Sequence, residues 1–478
     1  MIKDHFIKLS FFLLLFSILA PACTQHPGKE KTKQTATPHH RKFPPGKLIN
    51  RVTCSPDTAY TYALYLPGNY TADQKFPVLF FFDAHKRGKL PVHKYKSLAD
   101  KYGYILAGSY NSTNGQSQKE MDKAIRMMMD DVGKKFNIDP ERIYTGGFSG
   151  GARVAAYAAL FKRKITGVVG CAAGFPQIQS QPHTGFAYIG MVGDKDFNYL
   201  EMKNLDRSLQ GANMTPFIRV YNGKHDWPPP EIMNDAFVFF QLDAMRKKTI
   251  PVDVDLIGQF KKQLDDSITV ASENRDWLGL AGWLKKVAVF LNGVSNVTAY
   301  QQNLTKLTNN TEYQKHLDEE LKLEKTEHQL QQSYVKAMEN RNKSWWISDV
   351  KKRIAASENA GNKAEVLMNK RLLNYLSLVS YMYATNALRS NNTTAADKYL
   401  MIYQTVDPEN PEVYYLKAVR FSVMNSNNKA LKALEKAAEH GFKEPDRMAK
   451  DKHFSAFRQM PAFNKILEQI EQNARDEE

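Results

Sequence analysis

Between residues 48 and 246 the chain alternates short apolar runs with stretches of helical periodicity, and this alternation limits the folds that it can adopt. Residues 77–82 (PVLFFF) form a continuous apolar run, which is typical of a parallel strand that is covered on both faces. Residues 119–136 carry apolar side chains at helical spacing. The alternation therefore predicts a mostly parallel sheet with helices on both faces.

The same pattern gives approximate bounds for the individual elements of this region. We expect strands at residues 60–66, 77–82, 104–109, 142–148, 168–172, 186–192 and 216–220. We expect helices at residues 119–136, 150–161 and 231–245. Residues 87–97, 110–118 and 174–185 are interpreted as loops, which are the segments that usually determine what a scaffold of this kind binds.

The character of the sequence changes after Pro251, and we place a domain boundary between residues 246 and 254. Residues 254–370 predict a run of long helices, and residues 371–478 contain a repeat. An offset of 34 residues pairs Ala384 with Ala418, Ala396 with Ala430, and Leu400 with Leu434. Small residues at this spacing resemble a tetratricopeptide repeat, in which two helices of a hairpin approach closely. We therefore expect an all-α helical-repeat domain, which binds a protein partner or braces the first domain.

Residues 1–22 have the features of a signal peptide. Lys3 and Lys8 give a positively charged segment before an apolar run at residues 9–20, which is too short to span a bilayer. Cys23 follows small residues, and this arrangement resembles a bacterial lipoprotein signal, in which the cysteine is lipidated and becomes the first mature residue. The sequence thus predicts export, a lipid anchor on Cys23 that holds the protein at the cell envelope, and a polar tether at residues 23–47.

Composition excludes several classes of function. The formal net charge is +16, but the basic residues are spread along the chain without a basic stripe interleaved with aromatic residues, so we expect no nucleic-acid partner. The three cysteines form no C-x-x-C pair, so no zinc ribbon is predicted. Cys54 and Cys171 either form a disulfide in an oxidising compartment or remain two small buried side chains, and the sequence leaves both open.

The motif that carries chemistry is Gly147-Phe148-Ser149-Gly150-Gly151, which fits G-x-S-x-G. It lies between a predicted strand and a predicted helix, where the tight turn forces the serine into strained backbone angles. The serine hydroxyl would then stand at the carboxyl edge of the sheet, above the N-terminus of a helix. Ser149 is therefore the candidate nucleophile, with the Gly150 N–H as a donor to a developing oxyanion.

Two further segments follow in the order acid, then histidine. A predicted strand leads into Gly193-Asp194-Lys195-Asp196, and the next strand leads into Gly223-Lys224-His225-Asp226-Trp227-Pro228. With the elbow motif, these segments resemble the esterase and polyhydroxybutyrate-depolymerase-like branch of the α/β hydrolases, which includes feruloyl and acetylxylan esterases. The resemblance covers residues 55–245 and implies Ser149 as nucleophile, Asp196 as acid and His225 as base, with Asp194 as the rival acid.

The resemblance also implies a second oxyanion donor. Members of this branch usually carry His-Gly after the third strand, whereas Asp83 and Ala84 stand there in this chain, so the donor would be the backbone N–H of His85. Loss of one such donor costs about 10²- to 10³-fold in kcat.

The sequence as a whole predicts an exported serine hydrolase that cleaves carboxylic esters, with esters of acyl groups on carbohydrate among the candidate substrates. We expect no organic cofactor and no metal. Two alternatives remain: a catalytically silent hydrolase fold that serves as a binding or scaffold lipoprotein, and a serine peptidase. The altered oxyanion segment and the large helical half motivate the first alternative.

Overall fold

The computed structural model describes residues 43–161, 164–176, 185–210, 216–359 and 361–476. The predicted signal peptide, Cys23 and the tether up to residue 42 lie outside the described residues, as does most of the predicted loop at 174–185. Phe43 is buried against Phe136, with ring centroids 5.3 Å apart, so the last residues of the predicted tether 23–47 belong to the fold. From residue 43 onward the chain is one compact unit.

The described part of the first region forms one eight-stranded sheet in the order β1-β2-β4-β3-β5-β6-β7-β8. Its strands are β1 (Leu48–Thr53), β2 (Thr61–Tyr65), β3 (Phe76–Asp83), β4 (Ile105–Ser109), β5 (Ile138–Phe148), β6 (Gly167–Cys171), β7 (Ala187–Gly193) and β8 (Pro216–Tyr221). β2 is antiparallel to both of its neighbours, and the other neighbouring pairs are parallel. This order and these directions are those of an α/β hydrolase, as predicted.

Helices cover both faces of this sheet. They are α1 (Lys89–Tyr102), α2 (Gln118–Lys135), α3 (Gly150–Phe161), α4 (Tyr199–Gln210) and α5 (Pro230–Arg246). Side chains of β3 alternate between two cores, because successive residues of a strand point to opposite faces. Phe80 joins the core formed with α2 and α3, whereas Phe81 joins the core formed with α1 and α5.

The prediction of a loop at residues 87–97 is wrong, because α1 occupies most of it. Pro91 lies in the first turn of α1, where a missing N–H costs no intrahelical hydrogen bond. The helix buries Val92, Tyr95 and Leu98, which lie three positions apart. Six of its residues are charged or histidine, and because of this polar composition the spacing of the apolar residues did not indicate a helix.

The rest of the described chain is helical. It comprises α6 (Val254–Glu273), α7 (Trp277–Phe290), α8 (Thr298–Thr308), α9 (Thr311–Asn340), α10 (Lys343–Asn359), α11 (Lys363–Arg389), α12 (Thr393–Val406), α13 (Pro411–Val423), α14 (Asn427–Glu439), α15 (Pro445–Lys450) and α16 (Pro461–Asp476). α11 runs across the boundary predicted at residue 370. No helix in the described ranges is long and apolar enough to cross a membrane.

The small residues that suggested a repeat lie inside the C-terminal helices. Ala384 on α11, Ala396 on α12, Ala418 on α13 and Ala430 on α14 are each 0% exposed and share one core. At these positions a larger side chain would push the packed helices apart.

The two described cysteines are free and buried. Cys54 belongs to the core on the α2/α3 face of the sheet and Cys171 to the core on the α1/α5 face. Since the sheet separates them, the disulfide that the sequence left open does not form. Burial raises the pKa of the Cys54 thiol to about 11.

Candidate active site

Ser149 occupies the tight turn between β5 and α3. Its φ is 54°, in the left-handed region that non-glycine residues rarely adopt, and its N–H donates to the Cys171 carbonyl oxygen at 2.8 Å. A Cβ on Gly147 would lie 2.0 Å from the Gly151 oxygen, and a Cβ on Gly151 would lie 2.0 Å from the Phe82 oxygen. Both outer positions of the motif therefore need glycine, because β5, α3 and β3 meet there backbone to backbone.

The structure brings Ser149, His225 and Asp196 together. The Ser149 Oγ lies 3.1 Å from His225 Nε2, and His225 Nδ1 lies 2.9 and 3.0 Å from the two oxygens of Asp196. Asp196 is 0% exposed, and its Oδ1 also accepts the Asn198 N–H at 2.8 Å. With its ring proton on Nδ1, His225 donates to the carboxylate and presents a bare Nε2 to the serine hydroxyl.

Two aromatic rings hold the imidazole. The His225 ring centroid lies 4.7 Å from that of Phe148 and 4.0 Å from that of Phe197. Phe148 precedes the candidate nucleophile and Phe197 follows the candidate acid, so each neighbour in sequence also restrains the histidine. The sequence did not predict the contact of Phe197 with His225, because the only indication in the sequence is that Phe197 follows Asp196.

Asp194, the rival acid, points elsewhere. Its Oδ1 accepts the Gly223 N–H at 3.1 Å and lies 3.3 Å from Lys195 Nζ. These contacts tie the loop after β7 to the loop after β8. The geometry thus favours Asp196 as the partner of His225.

Asp83, at the end of β3, has a larger structural role than its place in the sequence suggested. It is 1% exposed, and its carboxylate accepts from Arg87 Nε and Nη2 at 3.0 Å each and from Trp227 Nε1 at 2.9 Å. Burial alone would raise its pKa, but the hydrogen bonds and charge of Arg87 hold the pKa below its ordinary value. Arg87 and Trp227 lie far apart in the sequence, so this link could not be found from a local motif.

The same carboxylate binds the predicted second oxyanion donor. The His85 N–H donates to Asp83 Oδ1 at 2.7 Å, so in this structure it is engaged within its own loop. The Gly150 N–H, the other predicted donor, stands at the first turn of α3, where backbone N–H groups have no partner within the helix. A Cβ on Gly150 would lie 1.8 Å from Asn114 Oδ1, so the side chain of Asn114 reaches this donor's residue.

Two residues of α11 contact the loop that carries Asp196. Arg371 Nη1 donates to the Asp194 carbonyl oxygen at 2.9 Å, and Asn374 Nδ2 donates to the Lys195 carbonyl oxygen at 2.6 Å. Arg371 is 6% exposed and also binds the buried carboxylate of Glu327 on α9. The sequence did not predict these contacts, because more than 170 positions separate the partners.

Among the described residues, no group of three or more histidine, cysteine, aspartate or glutamate side chains is arranged to hold a metal ion.

Comparison with known proteins gives structural likenesses at low identity. No protein-family model matches the chain, and no curated protein matches it significantly. Fluorophosphonate-binding serine hydrolase F from Staphylococcus aureus is 13% identical with a TM-score of 0.35, covering 41% of this chain and 98% of its own. An S-formylglutathione hydrolase from Staphylococcus aureus is 14% identical with a TM-score of 0.34, covering 41% and 97%. The feruloyl esterase module from Clostridium thermocellum is 14% identical with a TM-score of 0.34, covering 40% and 87%.

Proposed function

We propose that this chain is a serine hydrolase that cleaves carboxylic esters. The observation that carries the proposal is the hydrogen-bonded series Ser149–His225–Asp196, with distances of 3.1 Å and 2.9 Å, at the carboxyl edge of the sheet. Chemistry of this kind needs a hydroxyl, a base and a buried acid in that order.

In the proposed reaction His225 Nε2 takes the proton as Ser149 Oγ attacks the ester carbonyl carbon. Asp196 stabilises the imidazolium that forms, and the Gly150 N–H binds the oxygen that becomes negative. The tetrahedral species then expels the alcohol, which takes the proton from His225. Water, activated by the same histidine, releases the acid from Ser149.

For His85 to act as the second donor, its N–H has to release the Asp83 carboxylate and donate its hydrogen bond to the substrate oxygen instead. If the exchange does not occur, the reaction relies on one backbone donor, at a cost of about 10²- to 10³-fold in kcat. This engagement of the His85 N–H also favours the second candidate function, a binding module on a silent hydrolase fold.

The test is hydrolysis of p-nitrophenyl acetate by a protein that begins at Phe43, beside its Ser149→Ala variant. We expect turnover by the first protein, none by the variant, and labelling of Ser149 by a fluorophosphonate. Cleavage of peptide amides without cleavage of esters would favour a peptidase. If no substrate turns over and Ser149 is not labelled, the proposal fails and the binding module is preferred.

We further propose that the protein is exported and anchored by a lipid on Cys23, and that the C-terminal helices form tetratricopeptide-like repeats. The charged residues, apolar run and cysteine of the first 23 residues support the first proposal. The buried small residues at an offset of 34 support the second. Fatty-acid labelling that persists in a Cys23→Ala variant would contradict the anchor.

A further inference from the structure

Ser149 lines a large cleft. Its volume is about 1730 Å³, well above the roughly 300–1,000 Å³ of ordinary small-molecule pockets. One wall comes from the loops of the sheet and includes His85, Asn114 and Phe197. The opposite wall comes from α11 and the helices that follow it. A space of this size accommodates an extended substrate rather than a small ester alone.

One face of α11 forms the centre of the helical wall. The lining residues of this helix recur at helical spacing and are Asn374, Ser377, Leu378, Tyr381, Thr385 and Arg389. The wall is held in place by the contacts of Arg371 and Asn374 with the loop before Asp196. Glu444, which directly precedes α15, also lines the cleft.

Positive charge dominates the lining. Eight lysine or arginine side chains line the cleft, against three acids. Counting Asp83 and Glu201, which pair with the lining residues Arg87 and Arg153, still leaves an excess of positive charge.

The three acids of the lining are held by their own neighbours. Glu412 and Glu444 both bind Arg447, at Oε2 and Oε1 respectively, 2.9 and 3.3 Å from its Nη1. Asp407 Oδ2 accepts from Ser377 Oγ at 3.0 Å and from Asn410 Nδ2 at 2.9 Å. Each acid of the lining thus has a hydrogen-bond partner within the helical wall.

Exposed cations lie on both walls. Lys224 directly precedes His225, and Arg389 ends α11 on the other side; both are exposed and both line the cleft. Tyr110, Phe197 and Tyr381 add aromatic surface to the lining, which suits the faces of sugar rings as well as apolar groups.

We propose that the cleft binds an acidic oligosaccharide that carries the ester, with Lys224 and Arg389 as recognition residues for its carboxylate or sulfate groups. This inference rests on the proposed ester hydrolysis and names its substrate class. A field of one sign in a cleft with low-dielectric walls raises the local concentration of oppositely charged substrate.

The experiment compares kcat/KM for O-acetylated oligogalacturonate with that for O-acetylated xylo-oligosaccharide of the same length. A sulfated, O-acetylated xylo-oligosaccharide is a third arm that distinguishes sulfate from carboxylate. We expect a preference for an acidic substrate that falls as sodium chloride is added, because salt screens exposed charges.

The Lys224→Gln/Arg389→Gln variant is expected to lower the ratio of kcat/KM for the acidic substrate to kcat/KM for the neutral one by about three- to tenfold. This factor corresponds to the free energy of two exposed ion pairs. A Lys306→Gln/Lys352→Gln variant, which removes two exposed lysines outside the cleft lining, is the charge-matched control and should keep the ratio. Equal kcat/KM for acidic and neutral esters, or a preference that survives in the Lys224/Arg389 variant, overturns the inference.

A binding measurement tests this inference separately from the ester hydrolysis on which it rests. Calorimetry with the Ser149→Ala protein measures affinity for oligogalacturonate and for xylo-oligosaccharide without turnover. Binding of the acidic ligand that weakens with Lys224→Gln/Arg389→Gln supports the recognition site even if no ester is cleaved. Absence of that binding, in a protein that hydrolyses p-nitrophenyl acetate, overturns the recognition site alone.

Discussion

At the scale of the residue, the site depends on side chains that are fixed from several directions. His225 is held by Asp196 on one nitrogen and by the rings of Phe148 and Phe197 on its faces. Ser149 is held in a left-handed conformation by a backbone bond to Cys171. In the proposed reaction, such restraint keeps the Ser149 hydroxyl and His225 in reach of each other before substrate arrives.

The two neighbouring aspartates give a test at this scale. Asp196→Asn should lower kcat for p-nitrophenyl acetate by about 10⁴-fold, because an amide favours the wrong tautomer of His225. Asp194→Asn keeps an oxygen for the Gly223 N–H and should change kcat by only about threefold. Circular dichroism shows whether both variants are folded, and a larger loss in Asp194→Asn would reverse the assignment.

At the scale of the element, Asp83 joins the turn after β3 to a segment that is distant in sequence. Its carboxylate links the end of β3 to Arg87 before α1 and to Trp227 in the loop before α5. Trp227 is 1% exposed, and its ring lies 5.7 Å from that of Phe81. The segment that carries His225 is therefore tied to the central strand through one ionised side chain.

The link through Asp83 predicts how stability depends on pH. The pKa of Asp83 is lower in the folded chain than its ordinary value of 3.8, so its contribution is complete above that value and is lost as the pH falls through the folded pKa. Replacement by asparagine should cost about 2 kcal/mol in the free energy of unfolding at neutral pH.

Urea unfolding of the native protein and of Asp83→Asn at a series of pH values measures this difference. The gap between the two proteins should close at acid pH. A gap that stays constant down to the lowest pH would mean that the ionised form of Asp83 contributes nothing.

At the scale of the whole molecule, the helical part packs directly on the hydrolase part. Lys203 on α4 binds Glu320 on α9 at 3.1 Å, and Lys286 on α7 binds Asp235 on α5 at 2.7 Å. Lys286 is 3% exposed, and burial lowers its pKa. These pairs join the two parts, and the contacts of α11 make the position of the Asp196 loop depend on a helix far along the chain.

Asn374→Ala tests this dependence, because it removes the bond to Lys195 and leaves the Arg371–Glu327 pair intact. We expect kcat for p-nitrophenyl acetate to fall about tenfold while KM changes little, since the acid is displaced rather than the substrate. The melting temperature should change little. The matched control is Asn386→Ala, an exposed position on α11 outside the cleft lining. An unchanged kcat in Asn374→Ala would show that α11 does not position the acid.

The sequence predicted seven of the eight described strands of the sheet (all but β1), the elbow at Ser149 and the segments that hold Asp196 and His225, because each is marked by a local pattern. It did not predict α1, whose buried residues are interspersed with six charged or histidine residues. Nor did it predict the bond between Asp83 and the His85 N–H, since a side chain that folds back on its own loop leaves no periodic signal. The contacts of Arg371 depend on the folded arrangement of distant segments, which no local motif encodes.

α11 uses neighbouring turns for two different tasks. Arg371 and Asn374 donate hydrogen bonds to the backbone just before Asp196, and residues from Ser377 to Arg389 line the cleft. A substitution that rotates or shifts this helix would alter both at once. Under the proposed function, such a shift would change both the substrates that the cleft accepts and the position of Asp196, and residues 43–246 without α11 would lack both contacts to the loop before Asp196.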